Sequence, residues 1–293
     1  MKYKTIVTLK RLRLYNFITR YFYRRYLLYR DHREYKKDIK LQEVELQSKG
    51  KYCEVPIKDY KIILDRSDLH DFRMLLQLQK GEVYEPEVTE FIRKELKPGN
   101  TFMDLGANIG YYTILASQLV GPTGKVLSFE PNQKTFSRLL RNIRIQNIKN
   151  VDCFNFALSD YDGVSNLYLD KEADNGGGSI QNKRMKNVYS TVIVKKTDGV
   201  LKNIGKVIDI IKMDVEGSEI SILKNMDSYI RENKGLKIIM EWYSYYRSFD
   251  DYSYLDKNFN ILLLLWESNA VQKYEIRKYY EIPGLSNLLL VPK

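Results

Sequence analysis

A chain of 293 residues, 44% hydrophobic and 29% charged, has the length and composition of one globular domain with appendages and excludes a disordered or fibrous protein. Its longest apolar run, ILLLLW from Ile261, falls short of the ~20 residues that span a bilayer, and Cys53, Cys153, His32 and His70 match neither a zinc spacing nor a disulfide framework. The net charge of +11 sits at one end: residues 1 to 40 carry 13 Lys and Arg against 3 acids, and the rest holds 35 against 34, too even for a nucleic-acid groove.

Met1 to about Gly50 reads as a basic, aromatic-rich helical arm. Leu14, Ile18, Tyr21, Leu28 and Tyr29 share one stripe and Arg13, Arg20 and Arg24 the opposite side, although Arg11 and Arg25 interrupt the apolar stripe. Basic residues with aromatic anchors favour an anionic interface, so residues 1–40 are expected to meet an anionic membrane surface or a protein partner, with RNA the lesser alternative. Arginines at 11, 13, 20 and 24 break any secretory apolar block, and the expectation is a cytoplasmic protein, peripheral on the inner membrane surface if the arm binds lipid.

Residues 51–98 form a lead-in. The alternation of Val55, Ile57, Tyr60, Ile62 and Leu64 predicts a hairpin, Asp68 to Lys80 a short helix, and Val83 to Leu96 a second helix with Pro86 in its first turn. Residues 99–293 are the main domain. Thr101 to Ala116, TFMDLGANIGYYTILA, reads as strand, tight turn and helix, with a stop at Gly121-Pro122. Gly106 lets the chain turn off the strand, Gly110 lets helix and strand pack closely, and the helix start offers free N–H groups. The next strand, Lys125 to Phe129, ends in Glu130, a carboxylate placed to accept both hydroxyls of a ribose. Phe136, Leu139, Leu140 and Ile143 mark a helix, and Val151 to Leu158 a third strand. Asp170 to Ser190, with NGGGS, is a loop. Val192 to Val194 is a strand edge, and Asp198 to Val207 a helix and turn. DIIKMDVEGSEI is a buried strand running into a helix, Ile238 to Glu241 the fifth parallel strand, and Ile261 to Leu265 and Leu288 to Val291 close the sheet edge.

The glycine turn separates two cofactor classes. A dinucleotide site needs G-x-G-x-x-G, and here that frame reads Gly106, Asn108, Tyr111, so a pyrophosphate would meet side chains. An acid-led D-x-G-x-N-x-G stands instead. YEPEVTEF (Tyr84 to Phe91), DLGANIGYYT, FEPN, IIKMDVEGSE (Ile210 to Glu219) and IIMEW (Ile238 to Trp242) follow one another in this order. Together they resemble the FkbM family of class I S-adenosylmethionine-dependent methyltransferases, from Val83 to Pro292.

The resemblance implies a Rossmann-like α/β fold, with a seven-stranded, mostly parallel sheet, an antiparallel C-terminal edge hairpin and helices on both faces. It implies S-adenosyl-L-methionine as cofactor. Tyr84 and Glu85 would grip its methionine end, Glu85 being otherwise an N-cap; Asp104, Gly106, Asn108, Gly110 and Thr113 form the first motif, Glu130 and Asn132 the second, and Asn155 to Ala157 lie near the adenine. The implied reaction is O-methylation of a hydroxyl on a sugar, glycolipid, glycan or small metabolite. Two rivals stand beside it: an RNA methyltransferase using the arm, and a non-catalytic cofactor-binding scaffold.

Lys212 and Asp214 favour an enzyme. They are two apart on one face of a strand, at the C-terminal end where open α/β sheets place ligands, and a buried lysine must be paired or neutral. They are expected to act as one unit beside the acceptor, with Asp214 taking its proton and Glu216 in the same acidic run; alternatively Lys212 only ties strand ends together through Asp104 or Asp214. Asp214, Glu216 and Glu219 have the oxygen chemistry of a divalent-ion site, but an acidic run at a helix start is first read as dipole complementarity and capping, and no metal is expected.

Overall fold

The structure, a computed structural model, describes residues 37, 40–42, 44–57, 60–169, 179–180, 187–243, 247–267, 270–278, 281–282 and 285–293. Of the arm expected over residues 1–50, residues 1–36, 38, 39 and 43 lie outside the described residues, as does most of the loop expected over 170–190. Where the description begins, Gln42 is buried and donates through Nε2 to the Arg66 carbonyl at 2.9 Å.

The lead-in forms as its alternation predicts. β1 (Tyr52–Ile57) and β2 (Tyr60–Asp65) pair antiparallel. Asp68 caps α1 (Leu69–Gln79) by accepting from the Asp71 N–H, and α2 (Pro86–Glu95) starts on Pro86, whose missing N–H costs nothing in a first turn.

Five strands then pair parallel in the order β10, β9, β3, β4, β5: Lys237–Tyr243, Ile210–Met213, Thr101–Leu105, Lys125–Phe129 and Val151–Phe154. Helices cover both faces of such a sheet, which is why the central strands are apolar runs without alternation. β3 and β9 are buried at every position. Two apolar clusters result, one with the lead-in, α3 (Tyr111–Val120) and α4 (Gln133–Ile145), the other with α6 (Glu219–Asn225), α7 (Asp227–Glu232) and α8 (Phe249–Asn258). Beyond β10 the sheet turns antiparallel through β13 (Leu285–Pro292), β11 (Phe259–Glu267) and β12 (Ala270–Glu275).

The sheet therefore has eight strands, not the seven expected. The extra one, β12, is an outer edge strand with no buried residue, so burial imposed no alternation to read. The strand expected over Val151 to Leu158 breaks after Phe154. There Asn155 Nδ2 donates to the carbonyls of Glu130 and Pro131, and the chain leaves the sheet to form β6 (Ala157–Ser159). β6 pairs in a separate sheet with β8 (Asn187–Lys196), which also pairs β7 (Gly163–Leu169); α5 (Thr197–Ile204) follows. Helix α8, unanticipated in the aromatic stretch, starts on a capping box between Ser248 and Asp251.

Gly124 marks how tightly α3 is set on the sheet. A Cβ there would lie 2.3 Å from Val120 Cβ and 2.7 Å from the Asn100 carbonyl oxygen, whereas one at Gly235 would meet nothing within 4 Å. Gly124→Ala is expected to cost about 1–3 kcal/mol by overpacking and Gly235→Ala to stay within ~0.5 kcal/mol. Urea midpoints measure both, and an unchanged midpoint for Gly124→Ala contradicts this packing.

Candidate active site

The turn after β3 is built by close approach. Gly106 has φ +79°, and a Cβ on it would fall 1.8 Å from the Asp214 carbonyl oxygen, so the β3 and β9 ends meet only because no side chain intervenes. The N–H groups of Gly106 and Ala107 both donate to the Phe129 carbonyl. Gly110, at φ +94°, serves a contact other than the expected helix-to-strand one: its Cβ would sit 2.5 Å from Leu139 Cδ1 of α4. Thr113, fully buried one turn into α3, donates to Asp104 Oδ2 at 2.6 Å and contacts Ser128 Oγ at 2.8 Å, fixing the acid that leads the turn.

Glu130 closes the far side. Its Oε2 accepts from the Asn108 N–H and its Oε1 from the Asn132 N–H, both at 2.9 Å. Burial pushes this carboxyl up to about 7, against those backbone donors. Each oxygen keeps a second lone pair. Asn132 caps α4, its Oδ1 accepting from the N–H groups of Lys134 and Thr135. Three buried groups here lack a hydrogen-bond partner among the described residues, the acceptor Asp104 Oδ1, the donor Asn132 Nδ2 and the Thr135 hydroxyl. Ala157 is buried at the start of β6, two residues beyond Asn155, and its strand pairs with β8 in the separate sheet.

On the other side of the turn lies a group of charges. Lys212 is 6% exposed, with Asp104 as its register partner on β3. Its Nζ is 3.0 Å from Asp214 Oδ2 and 4.8 Å from the centre of the Tyr112 ring. Burial alone disfavours the ammonium, yet Asp214, Glu85 and Asp104 together hold it above the ordinary lysine value. Lys212 is therefore paired and charged, a fixed cation and not a proton acceptor. Glu85 has φ +40° and makes no capping bond with its side chain; it accepts from Tyr112 Oη at 2.6 Å. Burial, offset by Lys212, raises its carboxyl. Tyr84 packs edge-on against Tyr111 at 5.1 Å, and burial with Glu85, Asp214 and Glu241 around it drives its hydroxyl well up.

The acidic run divides. Glu219, 1% exposed, accepts from the N–H groups of Val215 and Gly217 and pairs with Arg247, which also donates to the Gly217 carbonyl. It is the loop's internal brace, and the helix it begins, α6, has no side-chain capping bond. The trio expected as Asp214, Glu216 and Glu219 is instead Asp214, Glu216 and Glu241, whose carboxylate oxygens lie within 4.8 Å of one another. Glu216 is raised by burial and then by Asp214; Glu241 is raised by Asp214 and then by burial. Glu241 comes from β10, where Ile239 is the register partner of Lys212, so it shares the Lys212 face. Residue reasoning named neither Glu241 nor Tyr112 as site groups, although IIMEW ends the next strand on that face and YYT follows the turn.

The structure thus gathers Tyr84, Glu85, Lys212, Asp214 and Glu216 in one place and Asp104, Asn108, Thr113, Glu130 and Asn132 in another, joined where Gly106 meets Asp214. One half offers a buried acceptor, a buried donor and a carboxylate to a nucleoside-like ligand; the other offers hydrogen-bond acceptors around one cation.

Known proteins with the same pattern bear on this arrangement. A sequence model described as the methyltransferase FkbM domain matches residues 104–273. A Methyltransferase 1 of Beauveria bassiana (strain ARSEF 2860) is 28% identical over 168 residues, covering 47% of this chain and 67% of that protein. Among solved structures, a Streptococcus mutans protein described as a methyltransferase, in complex with S-adenosylhomocysteine, is 12% identical, covers 70% of this chain and 96% of its own, and has a TM-score of 0.42. An rRNA methylase from Streptococcus thermophilus is 10% identical, with 70% and 93% covered and a TM-score of 0.42. The match to the family model spans more than half of the chain and takes in the end of β3 and all of β4, β9 and β10, with Asp104, Glu130, Lys212 and Asp214, so the chain belongs to the FkbM family of S-adenosylmethionine-dependent, class I methyltransferases.

Proposed function

We propose that the chain methylates a hydroxyl oxygen on a sugar, glycolipid or other small metabolite. One observation carries this reading: the ends of β9 and β10 and the start of α2 present four carboxyl groups, Asp214, Glu216, Glu241 and Glu85, around the ammonium group of Lys212. Their oxygens accept from a ligand rich in hydroxyl donors, the members raised by burial and by one another donate when protonated, and the ionised ones repel phosphates. A nucleic-acid backbone is disfavoured there, and residues 1–40 remain a separate attachment segment for an anionic membrane or a protein.

S-adenosylmethionine supplies an electrophilic methyl group. The residues present fit it: Asp104 Oδ1 and Asn132 Nδ2 are buried polar atoms in need of partners, and Glu130 has two free lone pairs for ribose hydroxyls. Gly106, Asn108, Gly110 and Thr113 hold this frame, Ala157 adjoins it on the adenine side, and Tyr84 and Glu85 take the methionine end. Asp214 accepts the acceptor's hydroxyl proton, Lys212 fixes Asp214 in place at 3.0 Å, and Glu216 orients the sugar. Such positioned proton acceptance typically contributes about two to four orders of magnitude in rate.

Glu130 sets a pH dependence. Hydroxyl donors favour its ionised form, so cofactor affinity is expected to rise with pH up to about 7 and level off above it. Glu130→Gln should remove that slope and weaken binding by about tenfold to a hundredfold. Calorimetry at several pH values checks both, and a slope preserved in the variant assigns it elsewhere.

Release of S-adenosylhomocysteine from a panel of cell-envelope sugars, glycolipids and total RNA tests the function itself. Release with a sugar-bearing acceptor, falling about a hundredfold or more in Asp214→Asn with cofactor affinity kept, is the expected result. Release with RNA alone overturns the acceptor class, and a near wild-type rate in Asp214→Asn removes the proton-acceptor assignment.

A further inference from the structure

α1 carries His70, one of two histidines in the chain, and the methyl-transfer reading gives it no role. Its Nε2 lies 3.0 Å from the Tyr84 hydroxyl, and the two rings meet edge-on with centroids 6.0 Å apart. Its Nδ1 is buried without a hydrogen-bond partner among the described residues and faces Asp71 Oδ1 at 3.9 Å. The other Asp71 oxygen is already engaged by the Asp65 N–H and by Arg138. Asp71, His70 and Tyr84 therefore form a chain that ends where Tyr84 lies in the field of Glu85, Asp214 and Glu241.

Both neutral tautomers of His70 leave a defect. With the proton on Nδ1, a buried N–H has no hydrogen-bond acceptor; with the proton on Nε2, the Nδ1 lone pair is turned toward a carboxylate. The imidazolium keeps the long Nδ1–H separation but sets a positive charge against Asp71 at 3.9 Å, and its Nε2–H donates to the Tyr84 oxygen at 3.0 Å. The surrounding charges agree with this. Burial disfavours the imidazolium, but Asp71, Asp68 and Glu85 outweigh it and the net displacement is upward. Arg138 of α4, paired with Asp68 and Asp71, and Glu216 of the loop after β9 complete the charged surroundings.

The charge on His70 decides where the Tyr84 O–H points. An imidazolium occupies a lone pair of the tyrosine oxygen and leaves its hydrogen pointing away from the ring; a neutral ring with a bare Nε2 takes that hydrogen for itself. We propose that His70 is a positioning residue of the methyl-transfer site, which when protonated turns the Tyr84 hydroxyl hydrogen away from Nε2 and when neutral holds it as an acceptor. No covalent bond other than an N–H changes: one proton passes from Nε2 to solvent and the tyrosine O–H rotates. The proposal rests on the reading that puts Tyr84 in that site.

The test is an NMR titration of the full chain with ¹³C-labelled histidine rings and tyrosine Cζ. His32→Gln assigns the histidine signals and Tyr84→Phe the tyrosine signal. His70 is expected to titrate above its ordinary value of about 6.5, with the Tyr84 signal moving at the same midpoint. Tyr84→Phe should lower the His70 midpoint by about half a unit or more, because the imidazolium loses its acceptor. His70→Gln, with thermal unfolding as in wild type, should abolish the Tyr84 step. A His70 midpoint at or below the ordinary value, or a Tyr84 signal flat across it, overturns the proposal; if His70→Gln does not fold, the wild-type titration decides alone. Neither cofactor nor acceptor is present, so a wrong acceptor class leaves the outcome unchanged.

Discussion

One buried ammonium group organises the ends of three strands. Lys212 is held on β9 between Asp104 on one side and Asp214 on the other, with Glu85 reaching in from the start of α2 and the face of Tyr112 below it. Removing a single partner from a buried charge cluster costs more than the pair ever contributes, because the remaining charge has no water to turn to. Here the imbalance runs in one direction: with Lys212 gone, several carboxyl groups would share the site without the ammonium that balances them, and protons would have to take its place. Glu241 and Glu216 are already raised with the lysine present. The cluster is thus held near its limit of negative charge, a suitable state for a site that receives a sulfonium cofactor and accepts a proton.

The second constraint is steric. Asp214 donates through its N–H to the Leu105 carbonyl at 3.0 Å, and its own carbonyl lies where a Cβ on residue 106 would be. The cofactor turn and the charge cluster are therefore one construction. A shift in the loop after β9 moves the Gly106 turn, and that loop is braced by Glu219 and Arg247 and by Ser179 Oγ, which donates to the Glu216 carbonyl at 2.6 Å. Catalysis by positioning depends on tolerances of this kind, since its advantage is lost when reacting groups move by about 1 Å.

Much of this was legible because it is local. The turn from Asp104 to Gly110 is written in residues that only a sharp, crowded backbone requires, and Lys212 with Asp214 stands out because a lysine in an apolar strand must find a partner. Capping of α1 by Asp68 and the start of α2 at Pro86 likewise need only neighbours in sequence. What escaped depends on distant contacts. Glu241 joins the site because β10 lies beside β9, and His70 because α1 packs where Tyr84 passes; neither residue has a sequence neighbour that betrays it. Strand β12 was missed since an exposed edge leaves no burial pattern. The break after Phe154 depends on Asn155 bonding to two carbonyls some 24 and 25 residues earlier. Only α8 had an unread local signal, the Ser248 and Asp251 capping box.

The central claim is that the acid-led turn and the lysine cluster together make a site for S-adenosylmethionine. Calorimetric titration of the full chain with S-adenosylmethionine and, separately, with NAD tests it most directly. The account predicts one equivalent of S-adenosylmethionine bound per chain and no saturable heat with NAD, because Asn108 and Tyr111 stand where a pyrophosphate would need glycine. Saturable NAD binding without S-adenosylmethionine binding would contradict it.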